Sequence, residues 1–104
     1  MIVEQRVYTV QVGKANQLID YYGAHGLGVQ QRILGNLIGY FSSDIGPLNQ
    51  VVHFWGYDSL AERERRRAIL AKDDEWLAYL RNQPPVITGQ ENRILIPVPF
   101  SPIR

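Results

Sequence analysis

What most constrains this chain is the order in which two periodicities follow each other along its 104 residues. Residues 2–10 alternate. Val3, Gln5, Val7 and Thr9 fall on one side, and Ile2, Glu4, Arg6, Tyr8 and Val10 on the other. Period two with β-branched residues predicts a strand. After Gly13, Ala15, Leu18, Ile19 and Tyr22 take helical spacing, which Gly23, Gly26 and Gly28 interrupt. Val29 to Leu34 resumes the helix and Gly35-Asn36 stops it. Leu37 to Ser42 and Gln50 to Tyr57 read as two strands of an antiparallel hairpin joined through Gly46-Pro47. Ser59 opens a helix running to about Lys72, with Glu62 at capping-box spacing. Asp73 caps a shorter helix with the stripe Trp76, Leu77, Tyr79 and Leu80, ended by Pro84-Pro85. Val86 to Ile96 is the last strand, and residues 97–104 form an extended, Pro-rich tail. The order βαββαβ is the ferredoxin-like plan: an α+β domain over 1–104, with one four-stranded antiparallel sheet and helices on one face. The length excludes a TIM barrel or a two-half Rossmann domain, which need roughly 200 residues or more.

Composition removes several function classes. Lys plus Arg is 11 against Asp plus Glu 10, a net charge of +1, so no global field steers nucleic acid or acidic lipid to the chain. There is no cysteine, hence no disulfide, thiolate zinc site or Cys nucleophile. No run approaches the roughly 20 apolar residues of a bilayer span, and the alternating N-terminus is not a secretory signal. These features set the expectation of a cytoplasmic protein with neither nucleic acid nor membrane as partner.

Parity divides the predicted strands into two faces. Val3, Val7, Val52, Phe54, Ile94 and Ile96 suit a helix-covered core. Glu4, Arg6, Tyr8, His53, Trp55, Tyr57, Glu91, Arg93 and Leu95 form the other set, too aromatic and too ionic to stay wet. That set predicts a homodimer whose two sheets meet face to face, with Glu4, Tyr57, Glu91 and Arg93 at the interface and carboxylate–guanidinium pairs compensating burial. The register of the second strand leaves Gly39, Tyr40 and Phe41 unassigned.

Candidate chemistry centres on His53, inside a strand and two residues from Trp55. Histidine titrates near neutral pH and so can carry a proton or contact a ligand. The bland alternative is a histidine bonded to a backbone carbonyl, since no Asp or Glu spacing marks an orienting partner. His25 has no HxxxH or HxxE context, so no metal is assigned. GxxGxG over Gly23 to Gly28 follows a helix rather than a strand, against a dinucleotide loop; a kink needing room or positive φ is the simpler reading. Arg63, Arg65, Arg66 and Arg67 have Glu62–Arg66 and Glu64–Arg67 at i,i+4 and i,i+3, a solvated, salt-bridged face.

The stretch Ile45-Gly46-Pro47-Leu48-Asn49-Gln50-Val51-Val52-His53-Phe54-Trp55-Gly56-Tyr57-Asp58-Ser59-Leu60-Ala61-Glu62-Arg63-Glu64-Arg65-Arg66-Arg67 closely resembles the NIPSNAP domain. Glu4-Gln5-Arg6-Val7-Tyr8-Thr9 and Gln90-Glu91-Asn92-Arg93-Ile94-Leu95 resemble it too, so the likeness spans nearly the whole chain. Gly26-Leu27-Gly28 departs from the Gly-Leu-Pro associated with the family. The resemblance implies a ferredoxin-like fold in the dimeric α+β barrel group, whose wider members include monooxygenases, isomerases and haem-handling enzymes. It implies no generally accepted reaction and no catalytic set to carry over. The leading reading is a homodimeric domain that binds a small, partly apolar metabolite. Whether it also transforms that metabolite stays open. Tyr8, Trp55 and Arg6 wall the pocket, and His53 and Tyr40 supply proton transfer or orientation. The alternative is a non-catalytic interaction module, and a haem or metal site through His25 or His53 is a third option. No cofactor is assigned.

Overall fold

A computed structural model describes residues 1–104. The elements run β1 (Ile2–Val10), α1 (Ala15–His25), α2 (Leu27–Leu34), β2 (Asn36–Ser42), β3 (Gln50–Tyr57), α3 (Leu60–Lys72), α4 (Asp74–Asn82) and β4 (Ile87–Leu95). The strands form one antiparallel sheet in the order β2-β3-β1-β4, the ferredoxin-like arrangement. Local chemistry sets the boundaries. Gly35, at φ 93°, ends α2 in backbone that a side chain would strain. The Ser59 hydroxyl accepts from the Glu62 N–H at 3.1 Å, and Asp73 accepts from the Trp76 N–H at 2.9 Å. Glu62 does not complete the reciprocal half of a capping box; its carboxylate pairs with Arg65 and Arg66 instead.

The sheet faces the helices with the side opposite to the one expected. Trp55 and Tyr57 pack with Val29, Ile33 and Leu34 of α2 and Leu70 of α3; Val10 and Val51 pack with Leu18 of α1 and Val86. Glu4 and His53 are therefore inside the protomer, at 0% and 1% exposure. The helix layer makes this possible because it supplies the counter-charge. Arg63 of α3 reaches across to Glu4, so a mixed ionic and aromatic face is satisfied where it is buried.

Val3, Val7, Val52 and Phe54, expected in the helix-covered core, lie on the open face. Register corrects β4 as well. Leu95, Arg93 and Glu91 stand opposite Val3, Gln5 and Val7, so Ile94 sits beside Glu4 and not with the valines. In β2, Tyr40 pairs with His53 on the helix side and Phe41 with Val52 on the open side. A register shift between Leu37 and Gly39 leaves Ile38 unpaired, sets Gly39 opposite Phe54 and so turns Tyr40 toward His53, while Ile38 lines the open-side cleft with Phe54. The tail is not simply extended: the Ser101 N–H donates to the Val98 carbonyl, and Ser101 and Ile103 return to line a cleft with Val3 and Phe54. No helix is long and apolar enough to cross a membrane.

Candidate functional site

Between the sheet and the helices lies a cavity of about 200 Å³. Arg6, Tyr8, Tyr40 and His53 supply its sheet side; Tyr22 of α1, Gln30 of α2, Arg67 of α3, and Trp76 and Tyr79 of α4 supply its helix side. Aromatic rings are its main wall. Tyr40 stacks on His53 at 4.4 Å between centroids, Tyr22 stacks on Tyr40 at 4.9 Å, and Tyr8 meets His53 edge-on at 5.0 Å. Tyr79 approaches Tyr22 edge-on at 5.9 Å. The α1–α2 break explains how the helix side closes. A Cβ at Gly26 would lie 2.9 Å from both the Tyr22 and Tyr79 rings, so only glycine lets them come together here. The Tyr22 hydroxyl donates to Gln30 Oε1. Burial pushes the Tyr22, Tyr40 and Tyr79 hydroxyls well above the ordinary tyrosine range, so all three remain protonated.

His53 is oriented by its neighbour in the strand. Trp55 Nε1–H donates to His53 Nδ1 at 2.8 Å. An imidazole that accepts at Nδ1 carries its proton on Nε2, so this hydrogen bond assigns the tautomer. Burial first, and the Arg6 charge second, pull the His53 pKa down to about 3. The ring is therefore neutral near pH 7, and its Nε2–H is buried without a partner. A neutral Nε2–H donates a hydrogen bond and polarises an acceptor oxygen; it does not abstract a proton.

An ionic network backs the site. Glu4 accepts from Arg6 Nη1 at 3.0 Å, Arg63 Nε and Nη2 at 3.0 and 2.9 Å, and Asn92 Nδ2 at 2.9 Å. Burial alone would raise its pKa. The Arg63 hydrogen bonds and the charges of Arg6, Arg63 and Arg67 outweigh that and hold it below the ordinary carboxylate value. Arg6 Nε also donates to the Tyr8 hydroxyl at 3.2 Å. Arg67 has turned inward: its Nη1 is buried and unpartnered, and it makes no ion pair with Glu64. Arg63 likewise leaves the solvated face expected for it.

The structure thus brings together four of the expected residues: His53, Tyr40, Tyr8 and Arg6. Trp55 is not a pocket wall. It is fully buried in the core and acts on the cavity only through His53. Glu4 and Tyr57 lie under the helices, not on the open face; Glu91 and Arg93 do lie on the open face. His25 is exposed and packs on Tyr21 at 4.6 Å, outside the cavity. Sequence reasoning missed Tyr22, Gln30, Arg67 and Tyr79. For Tyr22 and Tyr79 the signal was their place in the apolar stripes of α1 and α4; Arg67 carried none.

Comparison with known proteins agrees with this fold. The NIPSNAP family model matches residues 3–102. A NipSnap homolog of Dictyostelium discoideum is 32% identical over 96 residues, covering 91% of this chain and 42% of that protein. Human NipSnap homolog 3A is 34% identical over 101 residues, covering 93% and 39%. The chain therefore spans less than half the length of these curated relatives. A NIPSNAP family protein from Agrobacterium tumefaciens superposes with a TM-score of 0.95 at 48% identity, covering 99% of this chain and 98% of that one. An antibiotic biosynthesis monooxygenase, at 11% identity and a TM-score of 0.65 over 95% of this chain and all of that one, shares the fold alone. On the family match and these full-length likenesses, the chain belongs to the NIPSNAP family.

Proposed function

We propose that this domain binds a small, partly apolar metabolite in the cavity between sheet and helices. The observation that carries the reading is the unpartnered Nε2–H of His53 on a residue that lines a cavity walled by tyrosines. A buried donor left without an acceptor costs about 1–3 kcal/mol, which a ligand oxygen recovers on binding. Any chemical step there would use His53 to polarise that oxygen, with Tyr40 and Tyr8 orienting the ligand. A metabolite library screened by thermal shift tests the reading. Ligands that raise the melting temperature of the native protein, and lose that effect in His53→Phe, support it; a library without one such compound refutes it.

The open sheet face favours an assembly role beside binding, and the occupant we assign to it is a second copy of the chain. Val52, Phe54 and Leu95 give that face an apolar centre, and Phe41 is 57% exposed. Glu91 and Arg93 lie on the same face of β4, opposite in sign and two residues apart. A two-fold axis can set each Glu91 against the other copy's Arg93, which makes the surface self-complementary. Sedimentation equilibrium is the test. A dimer that Phe41→Asp converts to a folded monomer supports the proposal, and a folded wild-type monomer refutes it.

A further inference from the structure

We infer that the ligand of this cavity is an anion, and that its class is a one-ring carboxylic acid bound as the carboxylate, with Arg67 as its charge partner. The inference rests on the binding reading above and adds the ligand's charge. Two guanidiniums, Arg6 and Arg67, line the cavity, and no Asp or Glu does. Glu4, the carboxylate paired with Arg6, does not line the cavity and is already committed to Arg6, Arg63 and Asn92. Three arginines against one glutamate leave the region with an excess of two positive charges.

The unused polar groups agree with that sign. Arg67 Nη1 is buried and makes no hydrogen bond, with the Tyr57 hydroxyl the polar group beside it, and its guanidinium makes no ion pair. His53 Nε2–H is a second such donor, fixed in that role by Trp55. Neither can accept a hydrogen bond, so the part of a ligand that meets them presents acceptor oxygens, and negative charge on those oxygens offsets the arginines. Size and wall chemistry supply the rest. An apolar cavity of about 150 Å³ takes benzene, so 200 Å³ holds one ring with a carboxylate among the aromatic side chains that line it.

Benzoate and its neutral near-isostere benzamide are the probes, titrated into the wild-type chain by calorimetry and followed by the ¹⁵N resonances of His53. Benzoate should bind at least tenfold more tightly than benzamide and shift His53 Nε2. Arg67→Met should weaken benzoate tenfold or more, leave benzamide within about twofold, and be partly rescued by Arg67→Lys. Equal affinity for the two probes, or benzoate binding indifferent to Arg67, overturns the inference. If neither probe binds the wild type, the inference fails, and the metabolite screen then separates the cases. Hits that are all neutral leave the cavity reading standing, whereas no hits remove both.

Discussion

Replacing Glu4 by Gln is the perturbation whose size follows most directly from the fold. Glu4 is fully buried and receives four hydrogen bonds between 2.9 and 3.0 Å, three of them from guanidiniums. Gln keeps the shape but removes the charge and sets an NH₂ among donors. Arg6, itself buried, is left without its counter-ion. Removing one member of a buried ion pair costs about 3–5 kcal/mol, against a total stability of about 5–15 kcal/mol for a domain. At about 4–8 °C per kcal/mol for a domain near this size, the melting temperature should fall by roughly 12 °C at the least. The pH dependence carries a second signature. The Glu4 carboxyl titrates lower in the folded chain than its ordinary value of 4.5, so the folded state releases that proton more readily than the unfolded chain. Its stabilisation is complete above that ordinary value and is lost as pH falls toward the folded value. The Glu4→Gln variant should lack this acid-limb loss. Urea melts followed by circular dichroism at pH 7 and pH 3.5 read both effects. A variant within about 1 kcal/mol of wild type at pH 7, or one with an unchanged difference between the two pH values, refutes the ionic network as a stabilising element. Arg63→Met checks the same network from the helix side and should destabilise in the same direction.

Other consequences concern the cavity walls. Gly26→Ala places a methyl 2.9 Å from two rings; overpacking of this kind costs about 1–3 kcal/mol, and chemical shifts of Tyr22 and Tyr79 should move with the loss in stability. Trp55→Phe removes the donor to His53 Nδ1 and should cost about 1–3 kcal/mol, with the His53 ¹⁵N spectrum changing from one tautomer to a mixture. Because the His53 pKa is pulled from 6.5 to about 3 in the folded chain, protonation favours unfolding. Its contribution is complete above pH 6.5 and declines as pH falls from there toward 3, so His53→Phe should flatten the stability curve across that interval. Melts from pH 7.5 to 4 measure this.

Element order was legible in the sequence because it is written locally. Ser59, Asp73, Gly35 and Pro84-Pro85 act within a turn of where they stand, and the alternation of 2–10 and 50–57 needs no distant partner. The choice of buried face was not legible, because its deciding contact joins residues 59 apart: Arg63 answers Glu4 from α3. Judged by side-chain polarity alone, Val3, Val7, Val52 and Phe54 are the better core, and the inversion follows only once the counter-charge is in place. The same non-locality hid Arg67. Its spacing from Glu64 advertises a surface pair, yet the side chain lines the cavity. The β1–β4 register, set by pairing across 80-odd residues, decided that Glu91 and Arg93 part company with Glu4. His53 was legible as a candidate because it is a polar ring in an aromatic strand; that Tyr40 of the neighbouring strand stacks on it was not, because the β2 register decides it.

The central claim is that the ionic, aromatic face of the sheet is interior and holds His53 as a neutral donor. A long-range ¹H–¹⁵N correlation spectrum of the histidine side chains, recorded from pH 8 to pH 5, tests it most directly. His53 should show a protonated Nε2, an unprotonated Nδ1 and no titration across that range. A proton on Nδ1, or a midpoint near 6.5, would contradict the geometry from which the site is built.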